Sequence, residues 1–541
     1  MSDSTVDVVI VGAGFSGMYL LHRMRALGFS VRVFERGDDV GGTWYWNRYP
    51  GARCDVESMQ YSYSFDEALQ QEWRWPEKFS AQPDILTYAR HVAERFDLRR
   101  DITFSTRVVS AEFDESSATW WVTTDNEERI SARFVVMATG CISTAQVPPI
   151  PGASEYCGDV YHTGEWPHAP VDFSGQRIAV IGTGSSGIQA IPVLAREAAH
   201  VTVFQRTANY SLPARNETMR AEYEGEWKDE YRARRMEMRY TPQGALKDSN
   251  DESALGVDET RRQSVFEERW ETGGASLLGA FNDLMTNQAA NDTAAEFVRE
   301  KIRSIVKDAK TAEILCPDDH PIGTKRICID SGYYETFNRD NVELVDIREH
   351  AIERLTARGL VAGGREFNFD SIVYATGFDA MTGTLAKIDI RGRAETSLRE
   401  KWHAGPRTYL GLMSAGFPNL FMITGPGSPS VKGNMLNSLE QHVDFVTETL
   451  VHLRDTNMST IEASREAEDE WVEHVQVTAN KTLFPRANSW YMGANIPGKP
   501  RLFMPYIGGV GRYREICEEV VAERYKGFRI EAVAPESVAS A

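Results

Sequence analysis

The stretch Val8-Val9-Ile10-Val11-Gly12-Ala13-Gly14-Phe15-Ser16-Gly17 runs an apolar segment straight into a glycine-rich turn. Four successive β-branched residues suit a strand buried on both faces. Helical spacing follows to about Leu27, stopped by Gly28, and a second apolar run at 31–34 closes on Glu35. Strand, turn, helix and strand make a β-α-β unit. Its glycines have separate tasks: Gly12 permits the tight turn, Gly14 lets the backbone approach a pyrophosphate, and Gly17 lets helix and strand pack closely. The opening helix presents unpaired N–H groups and the positive end of its dipole to phosphate.

The unit occurs twice. Residues 178–181 lead into Gly182-Thr183-Gly184-Ser185-Ser186-Gly187, then a helical stretch, then a strand at 201–204. A lone G-x-G-x-x-G is weak evidence, whereas each copy here follows a strand, opens a helix and reaches a second strand. The residue closing that second strand selects the nucleotide. Glu35 accepts from ribose hydroxyls, so the first unit suits the unphosphorylated adenosine of FAD or NAD. At the matching place, Gln205-Arg206-Thr207 offers no carboxylate, and Arg206 suits a 2′-phosphate, so the second unit suits NADPH.

The rest of the chain is organised around these units. A single core stops growing at about 250–300 residues, so 541 residues imply more than one. Strands at 102–110 and 119–124 suggest an antiparallel layer, and a buried run at 134–137 leads into Ala138-Thr139-Gly140. The proline-rich segment 147–152 reads as a linker. From about 213 to 325 strand runs vanish and helical spacing takes over, for example at Phe297, Ile302, Ile305 and Val306. Strands resume at 342–345 and 371–374, the latter entering Ala375-Thr376-Gly377. The expected fold is α/β, with two dinucleotide-binding, Rossmann-like domains and a helical insertion in the second. The expected parts are 1–141 with 379–541, 142–212 with 326–378, and the insertion 213–325.

Composition excludes several classes of function. With 78 acidic against 59 basic residues, a net charge of −19 disfavours nucleic acid and anionic membrane as partners. None of the six cysteines (Cys54, Cys141, Cys157, Cys316, Cys328, Cys517) forms a C-x-x-C pair, so neither zinc nor a dithiol is signalled. That usage fits a reducing, cytoplasmic location. The opening MSDSTVD has no signal-peptide character, and no apolar run approaches the ~20 residues of a membrane span.

Two such units, the first completed by the C-terminal region, resemble the two-domain flavoproteins, among them disulfide reductases and flavin monooxygenases. The reductases need a cysteine pair, and Cys54 stands alone. Gly41-Gly-Thr43-Trp44-Tyr45-Trp46-Asn-Arg48-Tyr-Pro50-Gly51-Ala-Arg53-Cys54-Asp55 resembles the flavin-proximal signature of type I (class B flavoprotein) Baeyer–Villiger monooxygenases. Tyr156-Cys-Gly158-Asp-Val-Tyr-His162-Thr-Gly-Glu-Trp166-Pro167 is similar to that family's F-x-G-x-x-x-H-x-x-x-W-P fingerprint, with tyrosine for the leading phenylalanine. The segments 370–379, 425–430 and 490–498 extend the likeness, nearest to members acting on phenylacetone and steroids.

The resemblance implies that NADPH reduces FAD and that a C4a-peroxyflavin formed with O₂ converts a ketone, aryl or bulky and cyclic, to an ester or lactone. It implies Arg326 as the catalytic cation and Asp55 as the acid that orients it. On the FAD side it implies Gly12, Gly14, Ser16, Gly17, Glu35, Thr43, Trp44, Tyr45, Trp46, Arg53, Cys54, Asp55, Tyr61, Val108 and Met435. On the NADPH side it implies Gly182, Gly184, Ser185, Ser186, Gly187, Gln189, Arg206, Thr207, Lys325, Arg326 and Trp490. Ser430-Val431-Lys432-Gly433-Asn434 is implied to line the substrate. His162, lying in the linker, is read as structural or domain-coupling rather than catalytic. No metal is expected, and the chain is expected to act as a monomer. The rivals are a flavin monooxygenase acting on nitrogen or sulfur, against which the fingerprint and Arg326 argue, and a nucleotide-binding redox sensor.

Overall fold

Strand Ser4–Val11 lies at the centre of the first sheet, parallel both to Val31–Phe34 and to Arg129–Met137, with Val8 facing Val31 on one side and Phe134 on the other. Both of its faces are covered, which is why an unbroken apolar run occupies it: Val8, Val9 and Ile10 are fully buried. The structure, a computed structural model, describes residues 4–247, 249–431 and 433–532.

Outward from Arg129–Met137 the sheet turns antiparallel through Thr119–Thr124 and Val108–Asp114. Two late segments join it: Asp389–Arg391 pairs with Val108–Asp114, and Leu420–Met422 pairs with Arg129–Met137, both in parallel. The return of the C-terminal region to the first unit is therefore a matter of strand pairing. The run expected at 102–110 divides into Ile102–Thr103 and Val108–Asp114, because the chain crosses from one edge of the sheet to the other.

The second sheet is wholly parallel, in the order Val342–Asp346, His200–Gln205, Arg177–Ile181, Ser371–Tyr374, Asp159–His162. Its last strand corrects the reading of the fingerprint as linker, since four of those residues form a sheet edge. Gly158 is demanded there, because a Cβ would stand 2.5 Å from the Asp370 carbonyl oxygen. Tyr156 uses the hydroxyl that a phenylalanine would lack, donating to the Phe369 carbonyl at 3.1 Å. A three-stranded antiparallel sheet, Ile352–Thr356, Gly359–Ala362 and Arg365–Asn368, was not anticipated.

The helical stretch has no separate core. Helix Ala221–Met238 sends Trp227, Tyr231 and Met238 into the core of the first unit. Helices Glu259–Thr272 and Gln288–Ile305 send Val265, Phe266, Trp270, Phe297 and Ile302 into the core of the second. The insertion thus straps the two units together.

His442, on the long helix Met435–Asp455, is fully buried and accepts the Thr424 N–H on Nδ1 at 3.0 Å. Burial pulls its pKa down to about 3, and the charge of Arg514 adds to this. A histidine whose folded pKa lies below its unfolded value of about 6.5 contributes stability that is complete above that pH and is lost as pH falls toward 3. Between pH 6 and 4, urea unfolding should show a loss of up to about 1.4 kcal/mol per pH unit from this group. His442→Asn, which keeps an acceptor near the Nδ1 position, should flatten that dependence; parallel profiles for the two proteins would assign the acid sensitivity elsewhere.

Candidate active site

A single cavity of about 1230 Å³ runs from the first glycine loop to the second. At Gly17 a Cβ would stand 1.9 Å from the Gly12 carbonyl oxygen, and at Gly187 it would stand 2.3 Å from that of Gly182, so these two glycines seat their helices against the preceding turns. Gly184 has no heavy atom within 4 Å of its Cβ position. Protein packing does not require glycine there, and the open space at a helix N-terminus fits a phosphate group brought close to the backbone.

Glu35 is buried at the rim, its two oxygens accepting the Ala13 and Gly37 N–H groups, each at 2.7 Å. Burial pushes its carboxyl up and those two bonds oppose the shift. Each oxygen retains a lone pair for a ribose hydroxyl. Thr43, Trp44, Trp46, Tyr61, Val108 and Met435 line the same cavity. Trp44 donates its indole N–H to the Tyr61 hydroxyl at 3.1 Å. Met435 opens the helix Met435–Asp455, so its backbone N–H belongs to the first turn, where intrahelical partners are missing.

At the junction of the two units Arg326 grips Asp55 with two hydrogen bonds, Nε to Oδ2 at 3.0 Å and Nη2 to Oδ1 at 2.6 Å. Its Nη1 donates to the Val431 carbonyl at 2.6 Å. Burial would push the Asp55 carboxyl up, but the charge and bonds of Arg326 outweigh it and hold the group below the ordinary range. The Asp55 charge in turn raises Arg326 further above its ordinary value. The guanidinium is thus a permanent cation in a fixed orientation. Beside it stands an apolar wall that includes Met381, Val431, Tyr491 and Met492.

Sequence reasoning missed Gln60 and Arg235, and it placed Asn434 at the substrate without the partners that hold it. The Gln60 side-chain amide pairs with both backbone groups of Leu246, at 2.9 and 3.3 Å. Asn434 donates to the Gln60 carbonyl at 2.7 Å, and its own N–H bonds the Gln243 carbonyl. Arg235, buried on helix Ala221–Met238, donates to the carbonyls of Gln60 and Ser62. These groups lie far apart in sequence, and no spacing announces them. Lys432 lies outside the described residues.

Several expected cofactor contacts are otherwise engaged. The Arg53 guanidinium is taken by Glu77 and the Phe79 carbonyl, which leaves its backbone nearer the cavity. The Gln189 amide accepts from the Tyr49 hydroxyl at 2.8 Å and donates to the Arg53 carbonyl at 3.0 Å, bracing one unit against the other. Tyr45 is buried behind the cavity wall with its hydroxyl on Asp38. Cys54 is a buried thiol pushed up by burial, packed in the first core. Ser16 and Ser186 line the cavity, while the Ser185 hydroxyl lies 3.1 Å from the Cys328 sulfur.

Arg206, Thr207 and Lys325 line the far end, and Trp490 the near wall, its ring 4.3 Å from that of Tyr491. The Lys325 ammonium lies 3.3 Å from an unanticipated carboxylate, Asp319. His162 stands away from the Asp55–Arg326 pair. Its Nδ1 accepts the Gly164 N–H at 2.9 Å, so Nε2 carries the proton and donates to the Gln146 carbonyl at 3.3 Å. Gln146 also bonds Gly377 across the two crossings between the units, and Asp379 bonds Thr144. Burial lowers the pKa of His162, keeping it neutral where it ties these crossings.

Among the described residues no group of histidines, cysteines and acids could hold a metal, and no helix is long and apolar enough to cross a membrane. A family model described as flavin-binding monooxygenase-like matches residues 5–220. The chain is 40% identical to a Baeyer–Villiger monooxygenase of Pseudooceanicola batsensis, over 96% of this chain and 95% of that one. It is also 40% identical to a phenazine N-monooxygenase of Lysobacter antibioticus, over 96% of each. A solved structure of oxidized steroid monooxygenase bound to NADP superposes with a TM-score of 0.93 at 52% identity, covering 98% of this chain and all of that one.

Removing one partner of the Asp55–Arg326 pair strands the other in a partly buried site. Asp55→Asn should destabilise the protein by about 1–3 kcal/mol, and adding Arg326→Gln should recover more than half of that loss. Simple addition of the two single-variant losses in urea unfolding would mean that the pair is not coupled.

Proposed function

Because the chain belongs to the flavin-binding monooxygenase-like family, in its Baeyer–Villiger branch, we propose that it uses FAD, NADPH and O₂ to convert ketones to esters or lactones. The observation that carries the reading is the Asp55–Arg326 pair, a fixed cation at the junction of the two glycine-loop units with an apolar wall beside it. When bound, NADPH would supply the hydride and FAD would take it up and activate O₂, the source of the transferred oxygen.

The chain's own residues do the rest. Glu35 and the glycine loop Gly12–Gly17 would hold the adenosine diphosphate of FAD, and Trp44, Tyr61 and the first turn of helix Met435–Asp455 would border its ring. Arg206, Thr207 and Lys325, which line the cavity, would hold the 2′-phosphate, and Trp490 would lie on the nicotinamide side. Arg326 sets its positive charge where oxygen transfer develops negative charge, and a fixed cation there is worth several kcal/mol. Asp55 keeps that cation in place. Residues 1–141 with 379–541 serve the flavin, and 142–212 with 326–378 serve the coenzyme.

Val431 and Met435, which line the cavity beside Arg326, favour an apolar ketone, aryl or bulky and cyclic. All six cysteines are unpaired thiols, which supports work in a reducing compartment such as the cytoplasm. The −19 charge supports neither a nucleic-acid nor an anionic membrane partner. A second reading, oxygenation of a ring nitrogen, is favoured by the equal similarity to the phenazine N-monooxygenase.

A panel of ketones and N-heterocycles with product identification separates the two: esters from ketones support the first reading, N-oxides alone the second. Arg326→Ala should still permit flavin reduction by NADPH, followed by absorbance, while ester formation is lost and hydrogen peroxide is released. Near-normal ester per NADPH in that variant would remove Arg326 from the oxygen-transfer step. A charge-assisted bond is worth about 1.5–3 kcal/mol, so Arg206→Ala should weaken NADPH binding at least about tenfold and leave NADH nearly unchanged. Equal losses for both coenzymes would give Arg206 a structural role.

A further inference from the structure

The cradle formed by Arg206, Thr207 and Lys325 holds a carboxylate as well. Asp319 lines the same cavity and reaches Lys325 with one oxygen, Oδ2 to Nζ at 3.3 Å. Its other oxygen lies 2.5 Å from Nδ1 of His320. That imidazole is no surface group. Its side chain is 1% exposed, and its ring lies edge-on to Tyr210 at 5.3 Å. The Tyr210 hydroxyl is tied in turn to the Pro317 carbonyl and to Arg299. The Nε2 of His320 is buried without a hydrogen-bond partner, so the ring is spent on Asp319 alone.

Burial would push the Asp319 carboxyl up, but the hydrogen bond from His320 and the charge of Lys325 outweigh it and hold it at about 2. Burial also lowers His320, which therefore adds no positive charge near neutrality. The cradle thus carries two cations and one anion that is fixed from behind. A ribose 2′-phosphate brings between one and two negative charges to it.

The geometry points to Asp319 as a specificity-determining residue that occupies Lys325 in advance of the 2′-phosphate and weakens the grip on that phosphate. This inference rests on the NADPH reading above. Lys325 has three N–H donors, and one is directed at Asp319, so the phosphate meets a partly neutralised ammonium with a carboxylate behind it. Oxidised and reduced coenzyme carry the same phosphate, so the weaker grip falls on both alike.

The test is calorimetric binding of 2′,5′-ADP and of 5′-ADP to the FAD-loaded protein. Asp319→Asn keeps the shape and an acceptor for His320 while removing the charge. It should bind 2′,5′-ADP about threefold to tenfold more tightly, with 5′-ADP unchanged. Asp319→Ser, at a side chain that is 42% exposed, is the second variant should the first not fold, with the same expected direction. Unchanged or weaker binding of 2′,5′-ADP, in a protein that still prefers it over 5′-ADP, overturns this inference alone and makes Asp319 a support for Lys325. Equal binding of the two nucleotides by the unaltered protein overturns the NADPH reading and the inference together.

Discussion

The pair between Asp55 and Arg326 joins residues 271 positions apart. Asp55 follows the segment that borders the first glycine loop, and Arg326 follows the helical insertion. A guanidinium that close to an apolar wall is stabilised by a counter-charge, and a half-buried carboxylate by a cation, so each depends on the other. The geometry of everything around the pair serves to bring the two units into register. Gln189 braces them below it, the Val431 carbonyl receives the third bond of Arg326 above it, and Gln60, Asn434 and Arg235 hold the adjoining loops.

Much of this was legible in the chain, and for identifiable reasons. The glycine loops declare themselves because backbone sterics dictate them locally: Gly17 and Gly187 must lack a Cβ to let their helices close on the turn. Glu35 and Arg206 stand at a fixed offset from those loops, so their places follow. What stayed hidden depends on contacts between distant segments. Gln189 is expected to face the coenzyme, and its brace between Tyr49 and Arg53 shows only once those segments are brought against it. Arg235 lies amid a charged helix and looks solvated, yet it points inward to three carbonyls. Asp319 carries no motif at all.

The fingerprint gives the clearest case of a local pattern with a distant purpose. His162 ends an edge strand, and its tautomer is fixed by the Gly164 N–H. Gly164 lacks a side chain because the Phe378 ring stands 2.4 Å from where a Cβ would be. The pattern of histidine, glycine and aromatic residues therefore encodes the joint between two chain crossings.

The way strands are shared between early and late parts of the chain also sets an order of assembly on the ribosome. The five strands of the second sheet all lie between residues 159 and 374, so that unit has its full set of strands once residue 374 has emerged. The first sheet begins at residue 4 but waits for Asp389–Arg391 and for Leu420–Met422, which lies directly against Arg129–Met137. The amino-terminal half of that sheet is therefore synthesised first and completed last. During that interval its apolar strands have an open edge, and synthesis at about 5–20 residues per second keeps it open for tens of seconds. An unpaired strand edge is a template for pairing with another chain, so that interval is when the nascent first sheet is exposed to aggregation.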